Sequence, residues 1–318
     1  MSKMEKYPYN RDLKIFSFLN PPVILPILPF MQFFMKGFYY TDISDKKVSR
    51  EKLTIPVKDD TAIRAFVYTP RNAARKDSPC VIFYHGGGFV YNAAPHHFSL
   101  ARSLAAGLGV KVFFIDYRLA PKHPFPAAVD DAFYSYRYIS ENAELFGIDR
   151  KRIALCGDSA GGNLAAVTCI RARDEKIEMP CAQMLIYPFV DDDTESESMK
   201  KFTDTPMCNT VAARAYKKAY INEEDYSPRE WFSAVDAVSL ASLPEAYVET
   251  AEFDCLHDGG VRYYERLIRD GVKACLFETK GTMHGYDIAT KSEIYSVCMK
   301  KRTDFLKRIF DERKQTLL

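Results

Sequence analysis

What this sequence lacks narrows its class before any motif is found. There is no C-x-x-C pair among its eight cysteines, so neither a zinc knuckle nor a thioredoxin-like redox motif is expected. No segment joins a charged start, an uninterrupted apolar stretch and a small-residue cleavage site, so no signal peptide is expected. The best apolar run, 23–35, is too short to span a bilayer and is interrupted by Pro26 and Pro29. Charge of one sign is also missing: 44 basic against 42 acidic residues leave +2, too weak a field to select nucleic acid or a membrane as partner. A small, near-neutral molecule is the expected partner. No internal repeat or low-complexity tract is present. Tryptophan occurs once.

The rest of the composition is that of a chain able to bury a sizeable core, with 47% hydrophobic and 27% charged residues, which excludes disorder. Several cysteines sit in apolar runs, as Cys80 does in Cys80-Val81-Ile82-Phe83-Tyr84, where a free thiol acts as a small buried hydrophobe. They read as reduced thiols of a cytoplasmic protein. Aromatic content is high, with 20 Tyr and 22 Phe.

Apolar runs of strand length occur at 53–57, 63–69, 80–84, 110–115, 153–156, 183–187, 245–249 and 273–278. Helical spacing occupies 96–107, 126–142, 161–174, 259–270 and 291–313. This alternation predicts an α/β architecture, a mostly parallel sheet of eight strands with helices on both faces and an antiparallel start. Two stretches fall outside it, approximately 1–45 and 190–238. Both are expected to form cap elements on a single domain spanning 1–318. The acidic run 191–197 is expected to be a solvated loop.

The strongest chemical signal is Gly157-Asp158-Ser159-Ala160-Gly161, a G-x-S-x-G between the apolar run 153–156 and a helical pattern. A strand-to-helix turn that tight exposes the serine hydroxyl above the sheet. Serine needs a base, and the base an orienting carboxylate. Two histidines follow Ser159. His284, in a short loop after the last expected strand, is the candidate base, and His257 reads as a surface or supporting residue. For the carboxylate, Asp254, Glu252 and Asp258 all follow the strand at 245–249, and spacing does not separate them. A tetrahedral oxyanion also needs donors. His85-Gly86-Gly87-Gly88, directly after the strand at 80–84, offers unobstructed backbone N–H groups. A phosphate cradle is disfavoured there, because neither Gly-Lys-Ser/Thr nor G-x-G-x-x-G accompanies it.

Taken together, His85-Gly86-Gly87-Gly88-Phe89, the segment from Asp116-Tyr117-Arg118 to Pro126-Ala127-Ala128, Gly157-Asp158-Ser159-Ala160-Gly161-Gly162-Asn163, Tyr187-Pro188, Asp254-Cys255-Leu256 and His284-Gly285 resemble the hormone-sensitive-lipase-like esterases of the α/β-hydrolase superfamily. The resemblance runs from about 80 to 290. It implies an α/β-hydrolase fold with a helical cap, Ser159 as nucleophile, His284 as general acid and base, and Asp254 as the orienting acid. It also implies an oxyanion hole from Gly87, Gly88 and Ala160, with His85, Gly86 and Asp158 supporting the motif. Two departures are noted: Lys122 where the family usually has Glu, and Cys255 where it usually has Pro. His96, His97, His123 and Arg118 are assigned structural or pocket roles.

The expectation is therefore a cofactor-independent carboxylesterase, holding no metal and acting on short acyl esters from acetyl to about octanoyl through an acyl-enzyme. A homodimer accords with the resemblance. The competing readings are a binding protein that has kept the fold without the chemistry, and a lipase or peptidase of the same fold. The aromatic cluster Phe30, Phe33, Phe34, Phe38, Tyr39 and Tyr40, with Tyr216 and Tyr220, is expected to wall the acyl pocket.

Overall fold

Eight runs rich in β-branched and aromatic residues form eight strands of one sheet: β1 (Val48–Pro56), β2 (Ala62–Pro70), β3 (Ser78–Tyr84), β4 (Lys111–Asp116), β5 (Ile148–Asp158), β6 (Ala182–Ile186), β7 (Glu245–Phe253) and β8 (Ala274–Met283). They lie in the order β1-β2-β4-β3-β5-β6-β7-β8. Strand β2 is antiparallel to both neighbours, and all pairings from β4 to β8 are parallel. In this computed structural model residues 6–20, 25–42, 44, 46–58, 60–74, 76–221 and 226–315 are described. Of the expected cap elements, 1–5, 21–24, 43, 45 and 222–225 lie outside them.

The strand sequences reflect their place in the sheet. Strands covered on both faces are apolar throughout, so every residue of β6 is buried, as are all of β3 except Pro79. At the edges, β1 and β8 expose many positions to water.

The helices are α1 (Leu28–Met35), α2 (Pro95–Leu108), α3 (Ala127–Glu141), α4 (Ala160–Asp174), α5 (Thr210–Tyr220), α6 (His257–Arg269) and α7 (Glu293–Gln315), with shorter turns between them. Helix α4 lies across β3, β5 and β6 beneath α3, while α6 covers β7 and β8. Helix α2 packs on β2 and β4 and against α7, which also reaches β5 and β6. A surface helix buries one stripe: in α6 this is Gly259, Gly260, Tyr263 and Leu267. Central α4 is buried from Ala160 to Ala172, which its alanines and glycines allow by letting neighbours approach on all sides. In the stretch expected as the second cap element, α5 is capped by Asn209, whose side-chain oxygen accepts the N–H of Ala212 at 3.0 Å.

This topology sets three residues at one edge. Ser159, Asp254 and His284 each directly follow the carboxyl end of a parallel strand, β5, β7 and β8. Crevices at that edge are where open α/β sheets bind ligands.

Candidate active site

Ser159 sits at φ 52° and ψ −120°, a conformation costing about 1–3 kcal/mol for a non-glycine residue. The surroundings hold it there. Its N–H donates to the Ile186 carbonyl (2.9 Å), and its own carbonyl accepts the N–H of Phe189 (3.0 Å). The turn also requires glycine: a Cβ on Gly161 would lie 2.0 Å from the Tyr84 carbonyl oxygen. Ser159 is thereby directed into a cavity, though 7% exposed overall.

Its hydroxyl is 2.9 Å from Nε2 of His284, and Nδ1 of that ring is 2.7 Å from Oδ2 of Asp254. A carboxylate can only accept, so Nδ1–H donates to Asp254 and leaves Nε2 as acceptor for the serine proton. Asp254 is itself fixed by the Leu256 N–H on Oδ1 (3.0 Å). Burial disfavours the imidazolium, but the Asp254 carboxylate and the Cys208 sulfur outweigh it and raise His284 to about 9. The two other carboxylates face elsewhere: Glu252 accepts the Gly281 N–H (2.7 Å), and Asp258 meets His257 (2.9 Å) and the Ser198 N–H (2.8 Å). His257 bridges Asp258 and Glu278 outside the cavity.

Gly87, Gly88 and Ser159 line the same cavity, and Ala160 opens α4 beside them. Among the described residues no protein acceptor meets the N–H groups of Gly87, Gly88 or Ala160. Gly87 has φ 121°, and a Cβ there would lie 2.8 Å from the Tyr91 carbonyl oxygen, so the loop takes this course only with glycine. The Asp158 carboxylate ties loop to elbow. It accepts the Gly86 N–H (2.9 Å) and lies 3.2 Å from Nε2 of His97. Burial acts to raise Asp158, yet His97 and the neighbouring imidazoles prevail and hold it below the usual carboxylate range. His85 is buried, depressed to about 4 by that burial, donates Nδ1–H to the Gly86 carbonyl (2.7 Å) and stacks on Tyr117 (4.4 Å). Arg118 braces the adjacent loop through three hydrogen bonds from its side chain, two of them sharing Nε–H, and one from its backbone to Asp131. His96 lines the cavity and His123 a separate cleft.

The cavity has a volume of about 250 Å³. Its outer wall matches the expected one only in part. Phe30, Phe33 and Phe34 are 65%, 73% and 61% exposed and face away, Tyr40 is exposed, and buried Tyr39 donates to Asp116 (2.6 Å). Phe38 and Tyr216 line it as expected, and the rest of the wall is Met31 and Met35 of α1 and Met207. One turn of helix separates Met31 from Met35, so the lining stripe lay between the phenylalanines. Tyr220 stacks on Phe89 at 4.1 Å and is not part of the lining.

Three features escaped the sequence reading. Tyr187 stands 4.9 Å from the His284 ring, and its hydroxyl donates to Asp287 (2.9 Å). Asp287 and Glu249 in turn accept from a fully buried Arg302, at 3.0 Å and 2.5 Å. The signal for Arg302 was present: it is the charged member of the stripe Tyr295, Cys298, Arg302, Phe305, Leu306, Ile309 on α7. Cys208 was read only as one of the reduced thiols, and it lines the cavity. The acidic run is ion-paired, with Asp191 and Asp193 on Arg262 and Asp192 on Lys217 and Arg229. Among the described residues no three His, Cys, Asp or Glu side chains are grouped to hold a metal ion, and no helix is long and apolar enough to cross a membrane.

Known proteins share this arrangement of sequence and fold. Residues 81–288 match the family described as alpha/beta hydrolase fold. The chain is 36% identical over 271 residues to carboxylesterase NlhH of Mycobacterium tuberculosis, covering 84% of this chain and 78% of that protein. To an arylesterase of Saccharolobus solfataricus it is 34% identical, over 76% of each. Among solved structures it resembles a bacterial heroin esterase, with TM-score 0.87 and 32% identity over 96% of this chain and 99% of that one.

Proposed function

Because the chain belongs to the alpha/beta hydrolase fold family, as a carboxylic-ester hydrolase of its hormone-sensitive-lipase-like branch, we propose that it cleaves short-chain acyl esters through Ser159, His284 and Asp254. The observation that carries this reading is the unbroken line of hydrogen bonds from the Ser159 hydroxyl through His284 to Asp254, at 2.9 and 2.7 Å.

Ser159 Oγ attacks the ester carbonyl as Nε2 of His284 takes its proton. The carbonyl oxygen becomes an oxyanion between the N–H groups of Gly87, Gly88 and Ala160, each such donor being worth about 3–4 kcal/mol of barrier. Asp254 holds the ring in the tautomer that leaves Nε2 free to accept, and stabilises the imidazolium as it forms. His284 then protonates the leaving alcohol, which departs and leaves an acyl-serine. Water, deprotonated by the same imidazole, attacks the acyl group, and His284 returns its proton to Ser159.

Cavity size supports the short-chain assignment. A volume of about 250 Å³ is below the roughly 300–1,000 Å³ of pockets that take drug-sized ligands. Rates should therefore decline from acetate and butyrate to palmitate esters of p-nitrophenol, and the opposite trend would refute the chain-length assignment. Ser159→Ala should abolish turnover of p-nitrophenyl acetate while the variant stays folded. Full activity in that variant would overturn the catalytic assignment.

A further inference from the structure

All eight cysteines are free, and among the described residues one pair meets: the sulfurs of Cys208 and Cys255 are 4.0 Å apart. They come from separate parts of the chain. Cys208 precedes α5 in the segment between β6 and β7, and Cys255 follows Asp254 on the turn into α6. Ester hydrolysis uses neither thiol. Cys208 lines the same cavity as Ser159 and His284 and is 4% exposed, while Cys255 lies behind it, 1% exposed.

We propose that Cys208 and Cys255 are an oxidisable dithiol that closes to a disulfide beside the catalytic acid, with a hydroperoxide as oxidant. The two sulfurs have unequal parts. The hydrogen bond between them favours the thiolate at Cys208, with His284 acting in the same sense against burial, whereas the same contact and burial push Cys255 up. Cys208 is therefore the attacking sulfur. Its thiolate attacks the terminal oxygen of the peroxide, the O–O bond breaks, and a sulfenic acid forms as the departing alkoxide, or hydroxide from hydrogen peroxide, takes a proton. Cys255 then loses its proton and attacks the Cys208 sulfur, the S–O bond breaks, and water departs. Two electrons pass from the thiols to the peroxide, and with hydrogen peroxide the products are one disulfide and two waters.

Closure bears on the site because of where Cys255 stands. A disulfide requires about 2.05 Å between sulfurs, so the two sulfurs close by about 2 Å, a shift shared between rotation of the side chains and movement of the turns that carry them. The moving turn carries Asp254 and the Leu256 N–H that fixes it. Displacing the acid takes His284 out of line with Ser159. This consequence for activity rests on the proposed esterase mechanism, whereas formation of the bond does not.

The test treats the full-length protein with hydrogen peroxide, blocks remaining thiols, and digests without reduction for mass spectrometry, with p-nitrophenyl acetate hydrolysis followed in parallel. A peptide joining Cys208 to Cys255 is expected, with activity down about 100-fold, as for a catalytic group misplaced by about 1 Å. Dithiothreitol should restore both. In Cys255→Ser no linked peptide should form, and the oxidised Cys208 should instead be trapped by dimedone as the sulfenic acid. Recovery of Cys208 and Cys255 as separate blocked peptides would overturn the dithiol whatever the esterase does. A linked peptide with undiminished hydrolysis would overturn its coupling to the site. A linked peptide in a protein whose Ser159→Ala variant remains fully active would uphold the dithiol and reject the catalytic reading instead.

Discussion

Replacing Asp254 by Asn keeps the shape of the acid and removes its charge. Raising His284 from about 6.5 to about 9 corresponds to about 3 kcal/mol in favour of the imidazolium, with Asp254 the largest favourable contributor. With neutral His284 as the proposed base, kcat/KM of the wild type for p-nitrophenyl acetate should rise with pH, reach half its plateau near 9 and level off above it. In Asp254→Asn that limb should move to lower pH, because the charge that supports the imidazolium is gone while burial remains. The plateau should fall on the order of 10⁴-fold, since an amide that donates to Nδ1 favours the tautomer whose Nε2 cannot accept the serine proton. The assay is a pH series of kcat/KM from 5 to 10 on both proteins, with Glu252→Gln and Asp258→Asn as controls. An Asp254→Asn profile with an unmoved limb and a loss under tenfold would refute the reasoning, as would a comparable collapse in Glu252→Gln.

Further expectations concern the surroundings of the site. Arg302→Met leaves Glu249 and Asp287 buried without their cation and should cost about 3–5 kcal/mol, read as a lower urea midpoint; an unchanged midpoint would show that the network contributes nothing to stability. Asp158→Ala frees the Gly86 N–H that fixes the oxyanion loop. It should lower kcat about 100-fold with little change in KM, and a change confined to KM would contradict a positioning role. Met35→Ala together with Phe38→Ala should shift acyl preference toward longer chains, whereas Phe30→Ser with Phe33→Ser and Phe34→Ser should leave it unchanged. The reverse pattern would return the acyl wall to the exposed phenylalanines.

The sheet was legible because its strands are covered on both faces, and continuous runs such as Cys80 to Tyr84 then stand out without ambiguity. The eight expected strands and five expected helices are all present, with ends displaced by a few residues where β5 and β8 extend. Ser159 and His284 could be located because chain order and strand ends constrain them. Asp254 could not be chosen over Glu252 and Asp258 by spacing alone, since side-chain direction on a turn depends on contacts such as the Leu256 N–H. The cavity wall was only partly foreseen, for a related reason. On a helix dense in apolar residues, composition shows that a face will be buried but not which one, and α1 turns Met31 and Met35 inward. The α7 stripe marks Arg302 as facing inward, but its partner Glu249, like the Cys208–Cys255 contact, is distant in sequence, and no local pattern records those pairings.

The most direct measurement is labelling with a fluorophosphonate probe, followed by mass spectrometry of the modified peptide. Phosphonylation requires a serine activated by its base. The account predicts a single adduct on Ser159, absent from Ser159→Ala and strongly slowed in His284→Ala. No adduct on the folded wild-type protein, or an adduct on a different serine, would contradict it.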